Sequence, residues 1–172
     1  MWSWKQRKKQ KKTNKMSVKV NMYFMKIEDV GLKNKLAEYG TLTRLIGKVK
    51  FKTHKGWSKT YDALIDTGAH TTLIPLSIWQ DIETDILSDH EVKGILAKKE
   101  YSVPVKVAKV KTVMFDLEGN QTDELEIPAY MSLIENVLLL IGFRNVLDKF
   151  RVCFDYQQHT AFIEKHINSE LK

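Results

Sequence analysis

The chain has 172 residues, 43% of them apolar, which suits one domain with a real hydrophobic core plus some decoration. Its formal charge of +7 is concentrated at one end: residues 1–15 hold Lys5, Arg7, Lys8, Lys9, Lys11, Lys12 and Lys15 and no acid, so beyond them 21 basic residues face 21 acidic ones. The basic balance therefore belongs to a tail, and the neutral remainder makes polyanion binding at most an accessory function.

In chain order, residues 1–15 read as a disordered basic tail, since a run of Lys with Gln and Asn cannot bury enough apolar area to offset its ordering entropy. Two uses fit it: a solubilising tail, which is the preferred reading, or an electrostatic arm for nucleic acid or an anionic surface. Residues 16–41 form an N-terminal extension. Lys19 and Asn21 interrupt its apolar run, so it does not read as a signal-peptide core, and no stretch approaches the roughly 20 apolar residues of a membrane span. The extension either adds a strand at a subunit interface or begins a small cap, and "EDVGLKNKLAEYG" (28–40) suggests a short helix ending at Gly40.

From residue 42 the pattern is mostly of period two. Lys48, Lys50 and Lys52 alternate against Gly47, Val49 and Phe51, which predicts a half-exposed strand. A turn at Gly56 leads to a second strand from Tyr61 towards Asp66. Further strands are expected in "VPVKVAKVKTVMF" (103–115) and "LEIPAYM" (125–131), and a terminal hairpin in "RVCFDYQQHTAFIE" (151–164) with "YQQH" at its turn. Short helices are predicted in "LSIWQDIETDIL" (76–87) and, most clearly, in "FRNVLDKF" (143–150), where Val146, Leu147 and Phe150 share a face. No repeat and no βαβ alternation is present, so the fold class is all-β with short helices. The single cysteine, Cys153, excludes an intramolecular disulfide, fits a cytoplasmic location and reads as a buried structural thiol.

The stretch that carries chemistry is "YDALIDTGAHTTLIP" (61–75), where one carboxylate, Asp66, ends an apolar strand and is followed by Thr67, Gly68 and Ala69. A lone carboxylate near its normal pKa is a weak catalyst at mild pH, whereas two held together share a proton, so that one serves as base and the other as acid. Such a pair activates a water against a peptide carbonyl with no metal and no cofactor. The chain offers one Asp in this setting, so a pair requires a second copy, with Asp66 near a two-fold axis. Gly68, lacking Cβ, lets its N–H approach a carboxylate or a substrate, and Ala69 keeps the approach open. "DTG" alone is also an ordinary turn; apolar segments on both sides make it less ordinary, because turns usually sit on polar surface.

"ALIDTGAHTTLIP" together with "VLLLIGFRNVLDKFRVCFDYQQHTAFIE" (137–164) resembles the two motifs of the retroviral-type (retropepsin-like) aspartic proteases, single-domain relatives of pepsin. The resemblance spans residues 42–165, leaving 166–172 as a C-terminal tail, and nothing before Thr41 contributes to it. It implies an acid-protease β-barrel domain, active as a two-fold homodimer that hydrolyses polypeptide substrates. Asp66 would be catalytic, Thr67 would bond across the dimer, Gly68 would sit beside the carboxylates, and Gly142 would pack under the active-site loop. The substrate-binding flap would be the hairpin 90–105, with Gly94, Ile95 and Leu96 at its tip. Closure over an extended peptide would add main-chain hydrogen bonds as in strand addition. His70 stands where relatives more often carry an acidic, small or polar residue; it reads as bordering the pair, because a dyad needs no third group. His54, His90, His159 and His166 show no metal-ligand spacing and read as surface, and Asp155 reads as a turn carboxylate. The residues leave two alternatives of other classes open: a catalytically silent dimeric peptide-binding or assembly domain with the same fold, and a nucleic-acid-associated protein acting through the basic tail.

Overall fold

A computed structural model describes residues 18–93 and 102–165. Among these residues eleven strands make one sheet in the order β10-β11-β1-β2-β4-β9-β5-β8-β7-β6, with β3 (Gly56–Trp57) paired to β2 off that path. The strands are β1 (Lys19–Glu28), β2 (Thr41–Thr53), β4 (Tyr61–Ile65), β5 (Thr72–Ile74), β6 (Asp85–Lys93), β7 (Ser102–Phe115), β8 (Leu125–Ser132), β9 (Leu140–Ile141), β10 (Phe150–Asp155) and β11 (Thr160–Lys165). Strand β2 also pairs with β7, Lys48–Phe51 lying against Thr112–Phe115. The path β2-β4-β9-β5-β8-β7 therefore returns to β2 and closes a barrel, which removes those edges from solvent. The fold is all-β, as the period-two pattern predicts. Among the described residues no helix is long and apolar enough to cross a membrane.

Alternation sorts the side chains. On β8, Leu125, Ile127, Ala129 and Met131 are buried while Glu126, Pro128 and Tyr130 between them are not. Phe51, Ile74, Ile127, Met131, Ile141 and Ile163 are among the largest fully buried side chains and belong to one continuous core. The predicted hairpin at 151–164 forms, with its turn at 156–159, where Gln158 N–H donates to the Asp155 carboxylate at 3.1 Å. Cys153 is half-buried rather than buried, and Arg151 Nε lies 3.2 Å from its Sγ.

Nothing before Thr41 enters the family resemblance, yet β1 is integral to the sheet. Residues 19–22 pair with β11 and residues 23–28 with β2, and Val20 and Met22 lie in the core.

All three helix expectations shrink. The segment 28–40 holds only α1 (Val30–Lys33), capped by Asp29, and a 3-10 turn at Ala37–Tyr39. Val30, Leu36 and Tyr39 are exposed, so this segment has no apolar face whose burial would sustain a longer helix. The segment 76–87 holds α2 (Leu76–Trp79) alone, because Glu83 N–H bonds to the Lys52 carbonyl at 2.9 Å and Asp85 already begins β6. The segment 143–150 is a 3-10 turn at Leu147–Lys149 preceded by Asn145 at φ 60°, a left-handed conformation that an α-helix cannot contain and Asn tolerates. Val146 and Leu147 are buried all the same.

Candidate active site

Strand β4 ends at Ile65, and its pairing continues one step into the turn: Leu64 N–H bonds to the Leu139 carbonyl at 2.9 Å and Asp66 N–H to that of Ile141 at 3.0 Å. Strand β9 lies parallel to β4 and antiparallel to β5, so it is wedged between the two strands that flank residues 66–71. Within the turn, Gly68 N–H donates to Asp66 Oδ1 at 2.8 Å and Ala69 N–H to the Asp66 carbonyl at 3.2 Å. The carboxylate thus folds its own loop while remaining half-buried, with Thr67, Gly68 and His70 exposed and Ala69 half-buried.

The chain after β9 clamps the far side of this loop. Phe143 N–H bonds to the Ala69 carbonyl at 3.0 Å, Arg144 N–H to that of His70 at 2.8 Å, and Gly142 N–H to Thr72 Oγ1 at 3.3 Å. Gly142 has no space for a side chain: a Cβ there would lie 2.7 Å from the Ala69 carbonyl oxygen and 2.8 Å from the Thr71 carbonyl carbon. Residues far apart in sequence, the Asp66 loop and Gly142, are thereby brought into direct backbone contact.

Leu64 precedes Asp66 by two residues, the spacing that keeps successive strand side chains on one face. Leu64 is opposite Leu140, Leu140 is opposite Leu73, and Leu73 is opposite Tyr130. These four side chains are half-buried, while Ala63, Ile65, Ile74, Ala129 and Ile141, on the other face, are buried. They make an apolar row on the outside of the barrel beside the carboxylate. Sequence reasoning did not single them out; the signal was their alternation with buried neighbours, which is weak in strands of two to five residues. The ring of His90, on β6, lies 5.7 Å from that of Tyr130, so the hairpin of β6 and β7 approaches the same row. The arms of that hairpin pair as far as Lys93 with Ser102; Gly94, Ile95 and Leu96 lie outside the described residues.

Asp62, on the same strand as Asp66, is otherwise engaged. Lys48 Nζ lies 2.8 Å from its Oδ1, and that lysine, with a further hydrogen bond from Tyr23, holds the carboxyl below its usual range against the opposing effect of burial. Among the described residues no group of three or more His, Cys, Asp or Glu side chains could hold a metal ion.

No family model matches the sequence, and no curated protein does. Among solved structures, a retropepsin-like aspartic protease from Rickettsia conorii is similar over 96% of this chain and 98% of that one, with 12% identity and a TM-score of 0.44.

Proposed function

We propose that the protein is an aspartic endopeptidase, active as a homodimer in which the Asp66 carboxylates of two subunits share a proton and activate a water against a peptide carbonyl. The observation that carries this reading is the clamped loop: an accessible carboxylate at a strand end, its loop closed by the Gly68 N–H and held from behind by Gly142, Phe143 and Arg144. A loop so fixed sets a carboxylate in place before substrate arrives, which is what general acid–base work requires. One carboxylate accepts the proton of the attacking water as it adds to the carbonyl carbon. The other donates its proton to the carbonyl oxygen, and breakdown of the tetrahedral intermediate returns a proton to the leaving amine.

In this reading Thr67, which is exposed, would bond to the partner's loop, and Gly68 would sit beside the paired carboxylates. The row of Leu64, Leu73, Leu140 and Tyr130 would wall the cleft and favour apolar side chains flanking the cut, and the β6–β7 hairpin would act as the flap over an extended peptide. The test is cleavage of unfolded polypeptide by the purified protein between about pH 3 and 8, with Asp66→Asn expected to lose about a hundredfold or more. A statine-like peptide, which mimics the tetrahedral state, should inhibit. Undiminished cleavage by Asp66→Asn would sink the dyad; tight peptide binding without cleavage by the wild-type protein would assign the fold to the silent binding domain.

A further inference from the structure

Strand β2 carries a feature that proteolysis does not use. Its outward side chains Lys48, Lys50 and Lys52 each lie over an aromatic ring supplied by a different element. Lys48 Nζ is 5.3 Å from the Tyr23 ring centre, Lys50 Nζ 4.8 Å from that of Phe115 and Lys52 Nζ 5.2 Å from that of Trp57. Lys52 is directly opposite Trp57, whereas the other two pairs are diagonal: Phe115 is opposite Lys48, two residues from Lys50, and Tyr23 is opposite Ile46, two residues from Lys48. Lys48 is neutralised by Asp62, but among the described residues no carboxylate pairs with Lys50 or Lys52. Beside Lys50 lies a cavity of about 300 Å³ whose wall also includes Trp57, Phe115 and Gln121. Two acids also border it, and each is already paired: Glu124 with Lys111 at 3.1 Å and Asp123 with Lys165 at 2.8 Å.

We propose that this face of β2 binds single-stranded nucleic acid, with phosphates on Lys50 and Lys52 and bases stacked on Trp57 and Phe115. Ammonium groups interleaved with ring faces are the two components such binding needs: cations that follow the backbone, and platforms that any base can stack on. A duplex keeps its base faces stacked inside, so it could use the lysines but not the rings. An acidic peptide likewise has charge for the lysines and nothing for Trp57 and Phe115. The lysine heads already rest over the rings, so an incoming base displaces them outward, towards its own phosphate. The basic run of residues 1–15 lies outside the described residues and is no part of this site; its seven cations would add salt-dependent affinity of their own.

The experiment is fluorescence anisotropy of a labelled oligothymidylate with the full-length protein across a salt titration. Lys50→Gln/Lys52→Gln should weaken binding and reduce the slope of log K against log salt by about 1.4, two contacts at about 0.7 each. Trp57→Ala should weaken it about tenfold. Lys50→Arg/Lys52→Arg should retain binding, which separates lost charge from lost folding. Replacing the seven basic residues of 1–15 with Gln should lower affinity while leaving the Trp57→Ala effect in place. The proposal is overturned if the wild type does not bind at low salt, or if duplex DNA or polyglutamate binds as well as the single strand. It is equally overturned if only the tail variant loses affinity. Peptide cleavage through Asp66 is a separate readout, and neither result depends on the other.

Discussion

Asp116, at the end of β7, accepts four hydrogen bonds on two oxygens: Glu118 N–H and Asn120 N–H on Oδ1, and Asn21 N–H and Asn120 Nδ2 on Oδ2. It is 7% exposed. Burial alone would push its pKa up, but the bonds from Asn21, Asn120 and Glu118 together outweigh burial and hold the carboxyl below its usual value. The side chain thus ties β1 to the turn that joins β7 to β8. Asp116→Ala leaves those donors unmet and should cost about 3 kcal/mol, read as a lower denaturant midpoint. The sign of the pH effect follows from the lowered folded pKa. The stabilisation is fully present above the unfolded carboxylate value, near 3.9, and is lost as pH falls through the folded value. Wild type and Asp116→Ala should therefore differ most at neutral pH and converge in acid. An equal difference at pH 7 and pH 3 would show that the charge is not the source.

At the scale of elements, two glycines separate close approach to backbone from close approach to side chains. A Cβ at Gly142 meets the Ala69 carbonyl oxygen at 2.7 Å and Thr71 backbone atoms at 2.8 and 3.0 Å, which cannot move without opening the Asp66 loop. A Cβ at Gly47 meets the tips of Ile65 and Met114 at 2.9 Å, which are free to rotate. Gly142→Ala should accordingly destabilise by about 2–3 kcal/mol and lower cleavage further than stability explains, whereas Gly47→Ala should cost about 1 kcal/mol and spare activity. Thermal unfolding of both variants, beside their kcat, checks this. Equal effects on activity would remove the special standing of Gly142.

The strands were legible because alternation of buried and exposed positions along β2, β7 and β8 is a local property of the chain. The pairing of Gly142 with the Asp66 loop was legible only through the family resemblance, since contacts between residues so far apart leave no local signature. The helices were overread for a physical reason. Val146, Leu147 and Phe150 have helical spacing and two of them are buried, but three apolar residues within one turn are equally served by a 3-10 turn running into a strand. The left-handed backbone of Asn145 and the pairing of β10 with β11 from Phe150 onward decide between them. Strand β1 shows the same alternation, Val20 and Met22 against Lys19 and Asn21, but alternation does not name a strand's partners, and β1 pairs with β11 and β2 of its own chain.

For the whole molecule, the decisive quantity is how many chains make one active site. The proposed dyad takes one carboxylate from each of two subunits, and Asp62, the carboxylate nearest along the strand, is committed to Lys48 and Tyr23. Activity should therefore follow the dimer. Specific activity should fall on dilution through the dimer dissociation constant, in step with the loss of dimer seen by sedimentation. Mixing gives a sharper outcome. If wild-type chains exchange randomly with a fourfold excess of Asp66→Asn, only about one wild-type chain in five finds a wild-type partner, so activity per wild-type chain should fall to about 20%. A monomeric enzyme would show no fall, because each chain would carry its own site. A fall that appears before exchange has had time to occur would point to competition for substrate. Following activity and subunit exchange in the same mixture separates the two, and ties the number of chains per site to a number read from solution.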